Sequence, residues 1–234
     1  MRLRYFCGAL LFAAFCSLPS AFAQAEFDIG LGFGTAHDAS NHQGIDNLNS
    51  INALGPCTPN SGDVNCQQTP ALSNFFMGFG MNILLTKRYG FGGDVIFQPE
   101  RPSYGPLLYR QTFYDFNGIY APINQKRVQL EILGGIGGAH TGFSINQTGC
   151  VGIAACSSQI VPVATANHFA IHVGAAVQVF VTEHIFVRPE YDFRYVPGLG
   201  TPSNFNAFGA SNTSHQFNSD VVNAFMVWVG FGWH

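Results

Sequence analysis

Apolar side chains fall on alternate positions along most of this chain. From 26 to 35 the odd positions are Phe27, Ile29, Leu31 and Phe33, set against Glu26, Asp28 and Gly30, Gly32 and Gly34. From 75 to 85 Phe75, Met77, Phe79, Met81, Ile83 and Leu85 alternate with Gly78, Gly80 and Asn82. The same beat returns with Phe91, Val95 and Phe97 around Asp94, and with Tyr114, Phe116 and Tyr120 around Asp115 and Asn117. Val128, Leu130, Ile132 and Ile136 oppose Gln129 and Glu131, and Phe169 to Val181 oppose His168, His172 and Gln178. Ile185 to Tyr195 oppose Arg188, Glu190, Asp192 and Arg194, and Phe225 to Trp233 oppose Gly230 and Gly232. A period of two is the mark of a strand with one apolar face. Eight such segments are present, each long enough to cross a bilayer at a tilt of about 45°.

The connections alternate too. Thr86–Tyr89, Pro122–Arg127 and Thr182–His184 are short, whereas 36–73, 99–108, 142–166 and 197–220 are long. The long ones are rich in Gly, Pro, Asn, Ser and Thr, which predicts turns and irregular loops. In the exported part of the chain no apolar run reaches the ~18 residues of a membrane helix.

Charge decides which face is which. Charged residues are 10% of the chain and hydrophobic ones 47%, against a usual charged share of about 25%. A soluble sandwich or lipocalin-like cup would point the large apolar side chains inward and need a charged exterior. Here the partners of the large side chains are mostly glycines with scattered Asp, Glu and Arg, which suits a narrow lumen. The apolar face then turns to lipid, and backbone groups in lipid must all be paired, so the sheet closes into a barrel. The excess of acid over base, 13 to 10, argues against nucleic acid as a partner.

With that pattern, two local pieces carry a family resemblance. Phe186-Val187-Arg188-Pro189-Glu190-Tyr191-Asp192-Phe193-Arg194-Tyr195 is similar to a penultimate strand that takes Arg and Glu into a barrel. Val227-Trp228-Val229-Gly230-Phe231-Gly232-Trp233-His234 resembles a terminal strand read by barrel-assembly machinery through Phe231 and Trp233. The chain resembles the small eight-stranded outer-membrane barrels of the OmpA/OmpX type, the outer membrane protein beta-barrel domain family. The resemblance implies an all-β, antiparallel, up-and-down transmembrane barrel in the bacterial outer membrane. It places both termini and the short turns, with Lys87-Arg88 and Lys126-Arg127, on the periplasmic side and the long loops outside.

Residues 1–23 read as a cleaved signal peptide: Arg2 and Arg4, an apolar run from Tyr5 to Phe15, then Ala21-Phe22-Ala23. The barrel domain is then 24–234, with eight Lys/Arg against thirteen Asp/Glu, a formal charge of −5. Four cysteines remain, Cys57, Cys66, Cys150 and Cys156. Export and even number predict disulfides of undetermined connectivity, local pairing being the economical choice. The spacings lack the His partners of a zinc site, so no metal is expected.

The expected inward charges are Glu26, Asp28, Asp94, Asp115, Glu131, Glu190 and Asp192 with Arg188 and Arg194. Eight strands leave room for side chains only, which predicts a polar plug in preference to an ion pathway. His168 and His172 face inward roughly 13 Å apart, too far for one ion. Ser214, His215 and Ser219, or His140 with Ser144, are the candidates for a lipid A-modifying enzyme, but none forms a spaced triad. Gly134 to Gly138 lack the GxGxxG spacing of a phosphate loop, and the sequons at Asn146 and Asn212 carry little weight in a bacterial chain. Tyr89, Tyr109, Tyr120, Tyr195 and Trp233 lie near strand ends, where an interface girdle belongs. The expectation is a non-catalytic barrel without cofactor, serving envelope integrity or surface interaction through its loops, the first loop foremost. Outer-membrane lipid is its expected partner, with any extracellular partner unidentified; a narrow channel and a lipid A enzyme are the alternatives.

Overall fold

The computed structural model describes residues 25–39, 44–46, 56–57, 66–68, 71–72, 74–104, 107–151, 155–199 and 220–233. The expected signal peptide, Asn212, Ser214, His215, Ser219 and His234 lie outside the described residues. Among the described residues twelve strands follow in chain order. They are β1 (Glu26–His37), β2 (Gly44–Asp46), β3 (Pro56–Cys57), β4 (Cys66–Gln68), β5 (Phe75–Leu84) and β6 (Tyr89–Phe97). There follow β7 (Ser103–Tyr104), β8 (Leu107–Asn124), β9 (Val128–Val151), β10 (Ala155–Phe180), β11 (Ile185–Tyr195) and β12 (Val221–Trp233).

The long strands are hydrogen-bonded in the order β6-β5-β1-β12-β11-β10-β9-β8, and β6 pairs with β8 to close the ring. Every pairing is antiparallel. This is the closed eight-stranded up-and-down barrel that the alternation predicts. Closure follows from the fact that β6 has partners on both edges: Asp94 faces Gly80 of β5 and Asp115 of β8. The ends meet where Phe27 pairs with Trp233, at the same rim as the three short turns.

Two of those turns share one device. The Thr86 hydroxyl accepts from the backbone N–H of Arg88 (3.3 Å) and Tyr89 (3.0 Å). The Thr182 hydroxyl accepts in the same way from His184 (3.3 Å) and Ile185 (2.9 Å). A threonine three residues before the next strand thus holds each turn by a side-chain bond that mimics backbone. The third turn is a reciprocal pair between Gln125 and Val128, with Lys126 and Arg127 at its tip.

One long loop of the sequence reading is corrected. The segment 142–166 is mostly strand: β9 and β10 run 24 and 26 residues, and their ladder extends to Val151 opposite Ala155. Glycine and proline mislead here because neither breaks the ladder where it stands. Pro162 sits at the register shift before Ala164, a bulge, where a missing N–H is tolerated. β8 accompanies β9 as far as Leu107 opposite Ile145, while β11 leaves β10 at Ile171. The β9–β10 hairpin therefore projects from the rim opposite the short turns, by up to roughly 50 Å of strand at 3.3 Å per residue. Over the segment 36–73, β2 pairs with β3 on one side and β4 on the other.

Candidate functional site

Parity puts large apolar groups outside. Phe116 is 69% exposed, and Leu31, Phe79, Phe91, Ile136, Phe169, Val173 and Phe231 are also among the exposed side chains. At the short-turn rim the rings gather. Tyr89 pairs with Tyr120, ring centroids 5.3 Å apart, and Phe27 lies 5.8 Å from Trp233. Tyr195 is exposed at the other end of β11. Tyr109 departs from the expected girdle: it is fully buried, with its hydroxyl 3.4 Å from the carbonyl of Ala71. It occupies an inward position of β8, two steps before inward Gln111 and Phe113.

Inside, the seven predicted lumen residues Asp94, Asp115, Glu131, Arg188, Glu190, Asp192 and Arg194 are all buried and fall into two clusters. In the first, Arg194 brings Nε (2.9 Å) and Nη2 (2.8 Å) onto one oxygen of Asp115. Its Nη2 also reaches Asp192 at 3.3 Å and Asp94 at 3.9 Å, and the guanidinium stands 5.5 Å from the Phe113 ring. Asn117 donates to Asp94 (2.9 Å), and His172 Nδ1 stands 4.0 Å from Asp115. In the second, Arg188 lies between Glu190 (3.2 Å) and Glu131 (3.6 Å), and Gln129 donates to Glu131 at 2.6 Å. Nearer the short turns Gln178 donates to Asp28 (3.0 Å). Buried charge is tolerable only when so paired.

Glycines make room for these groups. Asp115 stands opposite Gly137, Asp192 opposite Gly174 and Asp28 opposite Gly232 in the ladders. A Cβ at each of those glycines would collide with the facing carboxylate. Pairing of large with small residues across neighbouring strands is how a small barrel fills its taper.

Two expectations about the lumen change. Glu26 is at the mouth, where it accepts from Asn124 at 3.0 Å; it is not part of the buried network. Above the charged layer the lumen is apolar: Phe76, Ile96, Tyr109, Phe113, Phe143, Met226 and Trp228 pack as one cluster. The signal was present in the sequence, since Phe76, Phe113, Met226 and Trp228 sit on the polar parity of their strands. The plug is thus ionic in its middle and apolar on both sides, with Phe180 and Phe186 toward the short turns.

His140 and Ser144 both lie on β9, four residues apart, so about 13 Å separates them along the strand. The His140 ring nitrogen Nδ1 instead meets Asn167 Oδ1 at 2.7 Å across the hairpin. No nucleophile and base are brought into reach there. Among the described residues no group of three or more His, Cys, Asp or Glu could hold a metal ion. Cys150 stands directly opposite Cys156 in the β9–β10 ladder. Cys57 faces Gly44 on one side of β2, and Cys66 faces Asp46 on the other.

Fold and lumen together define a class: a small closed eight-stranded barrel turned inside out, apolar on its surface and ionic within. No family model matches the chain, and no curated protein does. Among solved structures it is similar to Ail, the attachment invasion locus protein of Yersinia pestis, at 11% identity and TM-score 0.48, covering 90% of this chain and 99% of that one. It is similar also to Neisserial surface protein A, at 14% identity and TM-score 0.46, covering 88% and 95%. A third is the N-terminal β-barrel domain of Pseudomonas aeruginosa OprF, at 12% identity and TM-score 0.43, covering 90% and 98%. Likeness at this level carries no argument about function.

Proposed function

We propose that the chain is a bacterial outer-membrane protein without catalytic activity, a plugged barrel that anchors an outward surface for envelope integrity or contact with a partner. One observation carries this reading: large apolar side chains such as Phe116, Phe91 and Phe169 face outward, while Arg188 and Arg194 with their carboxylates are buried inside. In water that arrangement exposes far more contiguous apolar surface than a monomer tolerates, and in lipid it is the stable one. The expected cleaved leader at 1–23 and the strand ending in Phe231 and Trp233 fit export and recognition by barrel-assembly machinery.

The plug supports an anchor over a channel. Trp228, Phe113 and Phe76 pack across the lumen against the ion pairs, and eight strands give no spare width. The surface offered is the projecting β9–β10 hairpin with the loops around it. The whole stretch 132–182 lacks Asp, Glu, Lys and Arg, so contacts there rest on neutral polar and apolar groups. Fractionation joined to protease shaving of intact cells is the test. The reading expects barrel-protected fragments in the outer membrane and cleavage in the hairpin or loops; a soluble, unprotected chain overturns it. Lipid A mass spectra unchanged on overexpression, and planar bilayers without current for both the native chain and Glu131→Gln, separate it from an enzyme and from a channel.

A further inference from the structure

The charges of the barrel are sorted along its axis. Among the described residues, and beyond the buried groups, Lys87, Arg88, Lys126 and Arg127 lie at the short-turn rim with only Glu26 and Glu183. Toward the opposite end stand Glu100 and Asp220 with Arg101 and Arg110, and Asp46 on β2. Half of the Lys and Arg that follow the expected leader thus crowd one rim. None of these four cations makes an ion pair with a described residue.

That rim is concave. Lys87, Lys126, Arg127 and His184, with Glu26 and Glu183, surround a cup of about 850 Å³ floored by Phe180. The floor is firm, because Phe180 is buried and packs edge-on against Phe186 at 5.9 Å. The walls are firm as well. Thr86 and Thr182 clamp two turns, Gln125 and Val128 the third, and His184 Nδ1 stands 3.3 Å from the Gly232 carbonyl. Asn124 bridges two walls, donating to Glu26 (3.0 Å) and to the Lys87 carbonyl (3.2 Å). Because the turns are already fixed, binding an anion there need not order the backbone, and each basic side chain can add a charge-assisted hydrogen bond.

We propose that this cup is a binding site for a phosphate group, carried by a phospholipid headgroup at the rim or by a soluble anion. Inorganic phosphate or a phosphomonoester suits a site lined by three Lys/Arg better than a carboxylate does, since it offers more charge and more acceptor oxygens; a phosphodiester matches a carboxylate in charge and adds tetrahedral geometry. Lys126 and Arg127 at the tip of one hairpin are the principal ligands, and Lys87 closes from the facing turn. Glu26, held by Asn124, bounds the site on one side. The lipid source rests on the membrane reading; the free anion does not.

The test uses the full barrel domain in a phosphate-free maltoside detergent, folded by the criterion of heat-modifiable migration. Inorganic phosphate is titrated while the amide resonances of residues 87, 126, 127 and 184 are followed. Saturable shifts are expected, weakened roughly tenfold or more in Lys126→Gln/Arg127→Gln and unchanged in Arg101→Gln at the other end. Salt at about 1 M, where screening reaches about 3 Å, should abolish them. A second arm uses nanodiscs and native mass spectrometry with phosphatidylglycerol against phosphatidylcholine. Selective retention of phosphatidylglycerol, lost in the double variant, assigns the lipid source; phosphate binding without it assigns a free anion. The proposal is overturned if neither probe distinguishes the native chain from the double variant, or if Arg101→Gln weakens binding as much. Failure to insert in nanodiscs would count against the membrane reading while leaving the phosphate titration standing.

Discussion

The guanidinium of Arg188 lies 5.3 Å from the indole ring of Trp228, an ion held against an aromatic face inside the barrel. The same ring is set against the backbone of β1 and β5, where a Cβ at Gly32 would approach it to 2.8 Å and one at Gly78 to 2.9 Å. The junction between the ionic and apolar layers of the plug is therefore made of one tryptophan, one arginine and the glycines that admit them. A cation over an indole is worth about 2 kcal/mol when desolvated.

From this contact comes the first expectation. Gly32→Val should lower stability by about 1–3 kcal/mol, because the tryptophan ring has no free volume to yield. Gly118→Ala, whose added carbon meets only the Gly134 carbonyl at 3.5 Å, should be near neutral. Urea midpoints of the folded barrel in vesicles measure both, and equal midpoints would sink the packing account.

Arg194 offers a sharper case. It faces Asp115, Asp192 and Asp94 with its side chain 1% exposed. Arg194→Met should cost about 3–5 kcal/mol, since it leaves carboxylates buried without their cation. Arg194→Met/Asp115→Asn should recover part of that loss. Should the double variant prove no more stable than the single one, the cluster is not coupled as the distances suggest.

The outer face can be tested by polarity. Phe116 is 69% exposed on β8, and Phe116→Arg should destabilise the barrel in lipid by about 2–4 kcal/mol if it sits near the midplane. A soluble barrel would tolerate the same change at an exposed position within about 0.5 kcal/mol. The difference separates the two environments without any assay of location.

Cys150 and Cys156 occupy opposite positions of an antiparallel ladder, where Cα atoms are about 4.5–5.5 Å apart. That is within the span of a disulfide, so non-reducing digests of the exported chain should yield one peptide pair linking them. Cys57 and Cys66 flank β2 on opposite sides and two residues apart along it, roughly 11.5 Å from each other. A 57–66 bond therefore requires that small sheet to rearrange, and its peptide should appear, if at all, only alongside a changed β2–β4 register. Cys150→Ser should leave the barrel's urea midpoint unchanged and speed proteolysis of the projecting hairpin.

Much of the barrel was legible in the chain because a period of two is a local property. Phe27 and Asp28 must face opposite ways whatever strand lies beside them, and eight such runs with few charges demand closure in lipid. The identities of the inward acids and arginines followed from the same parity. What parity does not carry is length and depth. Gly142, Pro162 and their neighbours look like loop, yet ladder pairing carries the strands past them, because a bulge absorbs the proline and a cross-strand partner supports each glycine. Tyr109 has girdle chemistry but sits at an inward position, so its depth inside the barrel, not its ring, fixed its role.

By itself, then, the sequence determined which side chains share a face and that the faces are inverted. Only the closed structure decided which of them meet. Arg194 reaches Asp115 across 79 residues of chain, and Gln178 reaches Asp28 across 150. Such pairs depend on strand order and register, which arise when the β6 edge finds β8 and every backbone group is paired at once. The same closure gathered three short turns, unremarkable one by one, into a single cationic cup.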